Sequence, residues 1–172
     1  MKKFVLSLAC GLLIGNMASA QTSGLKIGYI NSGILLQSMP DKVTADSAVA
    51  KYARSFQEQI DIMMKEYQTK GQSYQSSEKT MTDAMKEVKL KEIQDLQNRI
   101  ETTQQSAQEK IQNKKQDLYT PILEKADKAI KAVAKEKNYD YIFDANSQGG
   151  TIVFCKEDYD ITSLVKAKLG IK

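Results

Sequence analysis

Apolar positions recur along this chain with two different periods, and the places where the period changes mark its elements. In residues 25–30, Leu25, Ile27 and Tyr29 fall on alternate positions, which predicts a strand with one apolar face. Residues 31–40 read as a connector with a short helical turn over 34–37. From residue 41 the spacing lengthens. Ile60, Tyr67, Tyr74, Met81 and Val88 recur every seventh residue, with Phe56, Met63 and Ala84 as a partial second column. Farther on, Ile93, Leu96, Ile100 and Ala107 belong to a different heptad phase, so the stretch reads as two helices rather than one coil. After residue 121 the stripe broadens to Ile122, Leu123, Ala126, Ala129, Ile130 and Val133, wide enough to pack on a sheet. Residues 139–143 read as a strand, 146–150 as a polar, glycine-containing turn, and 151–155 as a third strand. Asp160 then caps a final helix over 161–169 that carries Leu164, Val165 and Leu169.

The only prolines, Pro40 and Pro121, bracket the helical stretch, which holds one glycine, Gly71, and is rich in Lys, Glu, Gln, Ala and Met. Those residues lose little freedom in a helix, whereas an interior proline costs about 3 kcal/mol. A single straight helix of this length would run about 120 Å and strand the first β-segment far from the later ones. An isolated strand is barely stable, so the two ends of the stretch should meet. The predicted hairpin turns at residues 79–83, beside the polar cluster Ser76, Ser77, Thr80, Thr82 and Asp83. Thr82 can cap the second leg and Asp83 suits its positive end. Each leg should span roughly 55–60 Å. At Pro121 the second leg is expected to bend, with Thr120 capping a new helix.

The fold class is therefore α+β. A small three-stranded sheet with flanking helices, from residues 21–40 and 121–172, forms the body, and residues 41–120 form a long antiparallel two-helix coiled-coil arm. Tyr29, Ile142, Phe143, Ile152 and Phe154 are the candidates for body core and subunit contacts. So small a body has little with which to bury a core, and open sheet edges invite a neighbouring chain, which points to a homo-oligomer.

The N-terminus changes the setting. Lys2 and Lys3 precede an apolar run over residues 4–17 and the small-residue stop Ala18, Ser19, Ala20. That order predicts a secretory leader, residues 1–20, cleaved after Ala20. Ser7, three positions before Cys10, and the short apolar run ahead of it speak against a lipid-carrying cysteine. Cys155 is then the sole thiol of the exported chain and reads as a small apolar residue rather than a disulfide partner.

Losing Lys2 and Lys3 lowers the formal charge from +4 to about +2, which does not favour binding nucleic acid by phosphate neutralisation. Histidine is absent, which excludes His-based general bases, triads and His-ligated zinc. No phosphate-cradling glycine loop and no nucleophile elbow occurs, and the carboxylates alternate with lysines as on solvated helices. The chain does not read as an enzyme, and no cofactor or metal site is expected.

The pattern resembles the Skp/OmpH group of periplasmic chaperones. The resemblance rests on the leader, the opening Lys26-Ile-Gly-Tyr-Ile-Asn31, the long helical hairpin, and the closing segments Tyr139-Asp-Tyr-Ile-Phe-Asp-Ala-Asn146 and Tyr159-Asp-Ile-Thr-Ser163. It implies a periplasmic homotrimer whose bodies associate through their strands. Three arms would project around a cavity that holds unfolded outer-membrane β-barrel proteins without ATP. The mature charge departs from the strongly basic balance of the best-known members, so lipopolysaccharide binding is not implied. Contact of the arm tips with a membrane surface is left open.

Within that frame, Met63, Met64, Tyr67, Tyr74, Met81 and Met85 are the candidate client-binding residues. Thioethers are flexible and polarizable and suit varied apolar partners. The same residues could instead form the seam between the two legs. An exported coiled-coil spacer or scaffold of the cell envelope is the alternative function. A broken seam and ends that return to one body favour the clamp.

Overall fold

A computed structural model describes residues 24–146, 152 and 154–171. The predicted leader lies outside the described residues. The element order is β1 (Ile27–Ile30), α1 (Ser32–Ser38), α2 (Pro40–Ser77), α3 (Asp83–Glu136), β2 (Tyr141–Asp144) and α4 (Thr162–Leu169), with single 3-10 turns at Glu78–Thr80 and Glu157–Tyr159.

Each helix end has a local cause. The Asn31 side chain accepts from the Ile34 amide at 3.0 Å and starts α1. Pro40 occupies the first turn of α2, where its missing N–H costs no helical bond. After the 3-10 turn, Thr82 Oγ1 accepts from the Met85 amide at 3.4 Å and caps α3, with Asp83 in its first turn. Asn138, at φ 52°, takes the left-handed position that lets the chain leave α3. Gly170 does the same for α4 at φ 71°. Asp160 Oδ1 accepts from the Thr162 amide at 2.7 Å at the start of α4.

α2 has 38 residues and α3 has 54, so they run about 57 Å and 80 Å. They lie side by side, and the excess of α3 lies over the body. The new helix expected at Pro121 does not begin there: α3 continues through the proline as one helix. Thr120 is not a cap: its hydroxyl donates back to the Gln116 carbonyl at 2.8 Å. The helix survives because Ile122, Ala126, Ala129 and Val133, immediately beyond the proline, are locked into the body core.

β1 and β2 are parallel, with Ile27 opposite Tyr141 and Ile30 opposite Asp144. Parallel strands need a long crossover, and here the whole arm is that crossover. Tyr29 also forms a parallel bridge to Asp160. The expected third strand at residues 151–155 falls partly outside the described residues. Ile152, Phe154 and Cys155 are not in a strand, so the sheet among the described residues has two strands and a bridge.

The buried face of β1 is the one opposite to the stripe singled out from the sequence. Gly28 and Ile30 face the core, while Leu25 and Ile27 are exposed and Tyr29 is half-buried. A Cβ on Gly28 would lie 3.0 Å from the Tyr139 ring and 3.1 Å from Ile161, so glycine is what lets β1 sit this close. The core joins Ile30, Leu35, Met39, Ile122, Ile161 and Val165, among others. Of the five core candidates, Ile142 packs at its edge. Tyr29 and Ile152 are half-buried, and Phe143 and Phe154 are exposed. The reason is the pleat: one face of a strand pair meets the helices, and alternate residues must point the other way.

Candidate binding surfaces

Two surfaces stand out, one on the arm and one on the body. In the arm, Ile60 and Met63 of α2 meet Leu96 and Ile100 of α3 in a buried cluster, with Tyr67 packed against it. Met63 is thus a seam residue. Met64 and Met85 are exposed, and Tyr74 and Met81 are half-buried. The six candidates are not brought together as one patch: they divide between the seam and the open faces of the legs.

Sequence reasoning missed Ile62, which is 69% exposed, together with Val88 and Leu90 near the tip, which are half exposed or more. Ile62 could have been found from spacing. Two residues from Ile60 is about 200° around a helix, so a seam that takes 60, 63 and 67 leaves 62 pointing away. Val88 belongs to the heptad column read from the sequence, but that column crosses the turn and loses its meaning there.

Polar ties hold the legs beyond the cluster. Lys70 Nζ of α2 lies 3.1 Å from Glu92 Oε2 of α3, and Lys89 lies 3.3 Å from the same oxygen. The hydrogen bond from Lys70, then that from Lys89, hold the Glu92 carboxyl below its ordinary range.

On the body, the face of β1 turned away from the core opens a groove of about 370 Å³ lined by Leu25, Ile27, Tyr29, Phe143, Ile152 and Phe154. Phe154 is 83% exposed. The Tyr141 and Phe143 rings stack at 6.3 Å between centroids. Among the described residues, β1 is the only strand paired with β2. Burial, then the negative charge of Asp160, raise the Tyr29 hydroxyl above its ordinary value. An exposed apolar, aromatic sheet face of this kind is a surface that usually has a partner.

The polar rim of this body is ordered by Asp144. Burial pushes its carboxyl up, but hydrogen bonds from Ser32 and from the Asn146 amide outweigh that and leave it below the usual carboxylate range. The Ser32 amide donates to Asp144 at 3.1 Å and the Asn146 amide at 2.9 Å. Among the described residues no cluster of acidic or thiol side chains could hold a metal ion, and no helix is long and apolar enough to cross a membrane.

Known proteins share this arrangement. Residues 26–169 match the family described as Outer membrane protein (OmpH-like). Chaperone protein Skp of Pectobacterium atrosepticum is 23% identical over 163 residues, which cover 95% of this chain and 96% of the relative. Chaperone protein Skp of Photorhabdus luminescens is 24% identical over 147 residues, 86% of this chain and 88% of the relative. The crystal structure of an OmpH-like protein from Caulobacter crescentus CB15 has the same fold, with a TM-score of 0.72 at 13% identity over 84% of this chain and 83% of that one. With both legs of the arm and both strands of the body inside the matched span, the chain belongs to the OmpH-like family.

Proposed function

We propose that this protein is an ATP-independent periplasmic holdase that binds unfolded outer-membrane β-barrel proteins between helical arms and keeps them from aggregating. The observation that carries the reading is the arm itself. It joins a body of its own fold at one end and exposes scattered apolar side chains, Ile62, Met64, Met85, Val88 and Leu90, along its faces. Scattered, flexible apolar contacts suit many unfolded clients better than one folded partner, and family membership agrees with that reading.

The leader over residues 1–20 would deliver the chain to the periplasm and be removed after Ala20. Three bodies would join as a homotrimer through the apolar sheet face, with Tyr29, Ile142, Phe143, Ile152 and Phe154 at or near the contact. The three arms would enclose the client, with Met64, Met85 and the half-buried Tyr74 and Met81 among the residues that touch it. The tips, residues 79–83, would be the part nearest a membrane surface. No nucleotide, metal or nucleic acid enters this scheme.

The test is to dilute a urea-unfolded outer-membrane barrel into buffer with the mature protein and follow light scattering. Suppression at near-stoichiometric trimer without ATP is the expected result. Undiminished aggregation would overturn the proposal and put an envelope spacer in its place.

A further inference from the structure

We propose that Asp46 and Tyr119 form a latch across a joint at Pro121, and that this latch sets the angle between the arm and the body. Pro121 lies inside α3, where it has no N–H to give the Asp117 carbonyl and its ring crowds that carbonyl. Immediately beyond it Ile122 enters the body core. The residues of α2 facing the joint, Thr44, Ala45 and Ala48, are small, and an open groove of about 380 Å³ lies between them and Leu118, Pro121 and Ile122. The helix is weakest where its surroundings leave room to move.

The buried clusters of the body and of the arm also do not run into one another. The body cluster ends with Ala45 on α2 and with Leu118 and Tyr119 at its edge on α3. The arm cluster starts only at Ile60 and Ile100. Between them Phe56, Gln57, Gln104, Ala107, Gln108 and Ile111 face one another around a second opening of about 460 Å³, so the apolar side chains there do not close into a packed seam.

Polar groups tie the two legs together at the body end of this stretch. The Tyr119 hydroxyl donates to Asp46 Oδ1. The other oxygen of Asp46 accepts from Lys42 Nζ at 2.6 Å. Lys42 and Lys115 both place their ammonium groups 5.7 Å from the Tyr119 ring centroid. On the body side of the joint, Lys125 and Asp41 pair at 2.6 Å. These groups are partly exposed, so water can replace their bonds without stranding a buried charge. Such a tie can open and close, which a packed leucine seam cannot do.

The lever is long. Prolines commonly kink helices by about 20°, and over the roughly 55 Å from Pro121 to the tip that angle moves the tip by about 19 Å. At residue 101, about 30 Å from the joint, the same angle gives about 10 Å.

The experiment places nitroxide labels at Glu101→Cys and Ser163→Cys in the full mature chain carrying Cys155→Ser, diluted with unlabelled chain, and reads their distance distribution by double electron–electron resonance. Tyr119→Phe and Asp46→Asn are expected to shift or widen the distribution by up to about 10 Å with helix content unchanged. Adding Pro121→Ala to Tyr119→Phe restores the missing backbone hydrogen bond and is expected to narrow it again. A distribution that stays at wild-type width in Tyr119→Phe, which removes a single oxygen, would overturn the latch. Failure of Pro121→Ala to narrow it would overturn the joint. No client takes part, so either failure leaves the holdase proposal to its own test.

Discussion

Replacing Met63 and its neighbour Met64 by glutamine, one at a time, separates the seam of the arm from its open surface. Met63 is 7% exposed and Met64 is 40% exposed, although they are adjacent. Burying a methionine side chain fully contributes about 1.5–3 kcal/mol. An amide left without partners in the seam costs about 1–3 kcal/mol more. The Thr103 hydroxyl lies 4.0 Å from Met63 Sδ, a weak contact that does not satisfy an amide. Met63→Gln should therefore destabilise the arm by about 2.5–6 kcal/mol, which is enough to open it locally while the body stays folded. Amide hydrogen exchange resolved by peptide is the assay. The peptides that contain Ile60, Tyr67, Leu96 and Ile100 should lose protection in Met63→Gln and keep it in Met64→Gln. Client affinity should respond the other way round. Combining Met64→Gln with Met85→Gln removes thioether contacts from a still-protected arm and should weaken binding of an unfolded barrel protein several-fold, on the order of 1 kcal/mol. Unchanged exchange in Met63→Gln would refute the seam assignment. Unchanged client affinity in the double variant would refute the role of the open methionines.

Further outcomes follow from the body. Gly28→Ala places a Cβ at 3.0 Å from the Tyr139 ring and 3.1 Å from Ile161, so urea denaturation should show a loss of about 1–3 kcal/mol, and a neutral result would mean that β1 is not held this close. Asp144, with its carboxyl depressed in the folded state, stabilises the body above its unfolded pKa of about 3.9 and loses that contribution as pH falls through the lower folded value. The Tm gap between the native chain and Asp144→Asn should accordingly be open at pH 6 and close below pH 3; a gap that persists in acid would contradict the hydrogen-bond account. Phe143→Glu puts a charge on the exposed sheet face without disturbing the core, so sedimentation should show dissociation of the proposed trimer while helix content is kept. An intact trimer with this substitution would remove that face from the subunit contact.

Membership of the OmpH-like family constrains the general shape, and within that shape the arm divides its labour along its length. The distal part is held by an apolar cluster and the Lys70–Glu92 pair, and the root by tyrosine, lysine and aspartate. Residues that a heptad reading treats as one column therefore do different things. Ile60 is seam, Tyr74 and Met81 are half open, and Val88 faces solvent.

Much of this was written in local chemistry. Thr82 and Asp83 mark the start of α3, Asn31 that of α1, and the alternation of residues 25–30 the first strand, because caps and pleats depend on neighbours a few residues apart. The excess of Lys, Glu, Gln and Ala over residues 41–120 dictates helices whatever they pack against. What local pattern could not decide is which face of each element is covered. Leu25, Ile27 and Tyr29 look like the core face of a strand, yet Gly28 and Ile30 are the covered residues, because only glycine admits the approach of Tyr139, just after α3, and Ile161, just before α4. Pro121 reads as a break, yet the helix continues through it because the residues beyond it are fixed in the body core. Methionines 63 and 64 are chemically identical, and only the position of the second leg makes one a seam residue and leaves the other to solvent. Secondary structure follows from interactions within a few residues, whereas burial is a property of pairs of elements brought together over a hundred residues of chain.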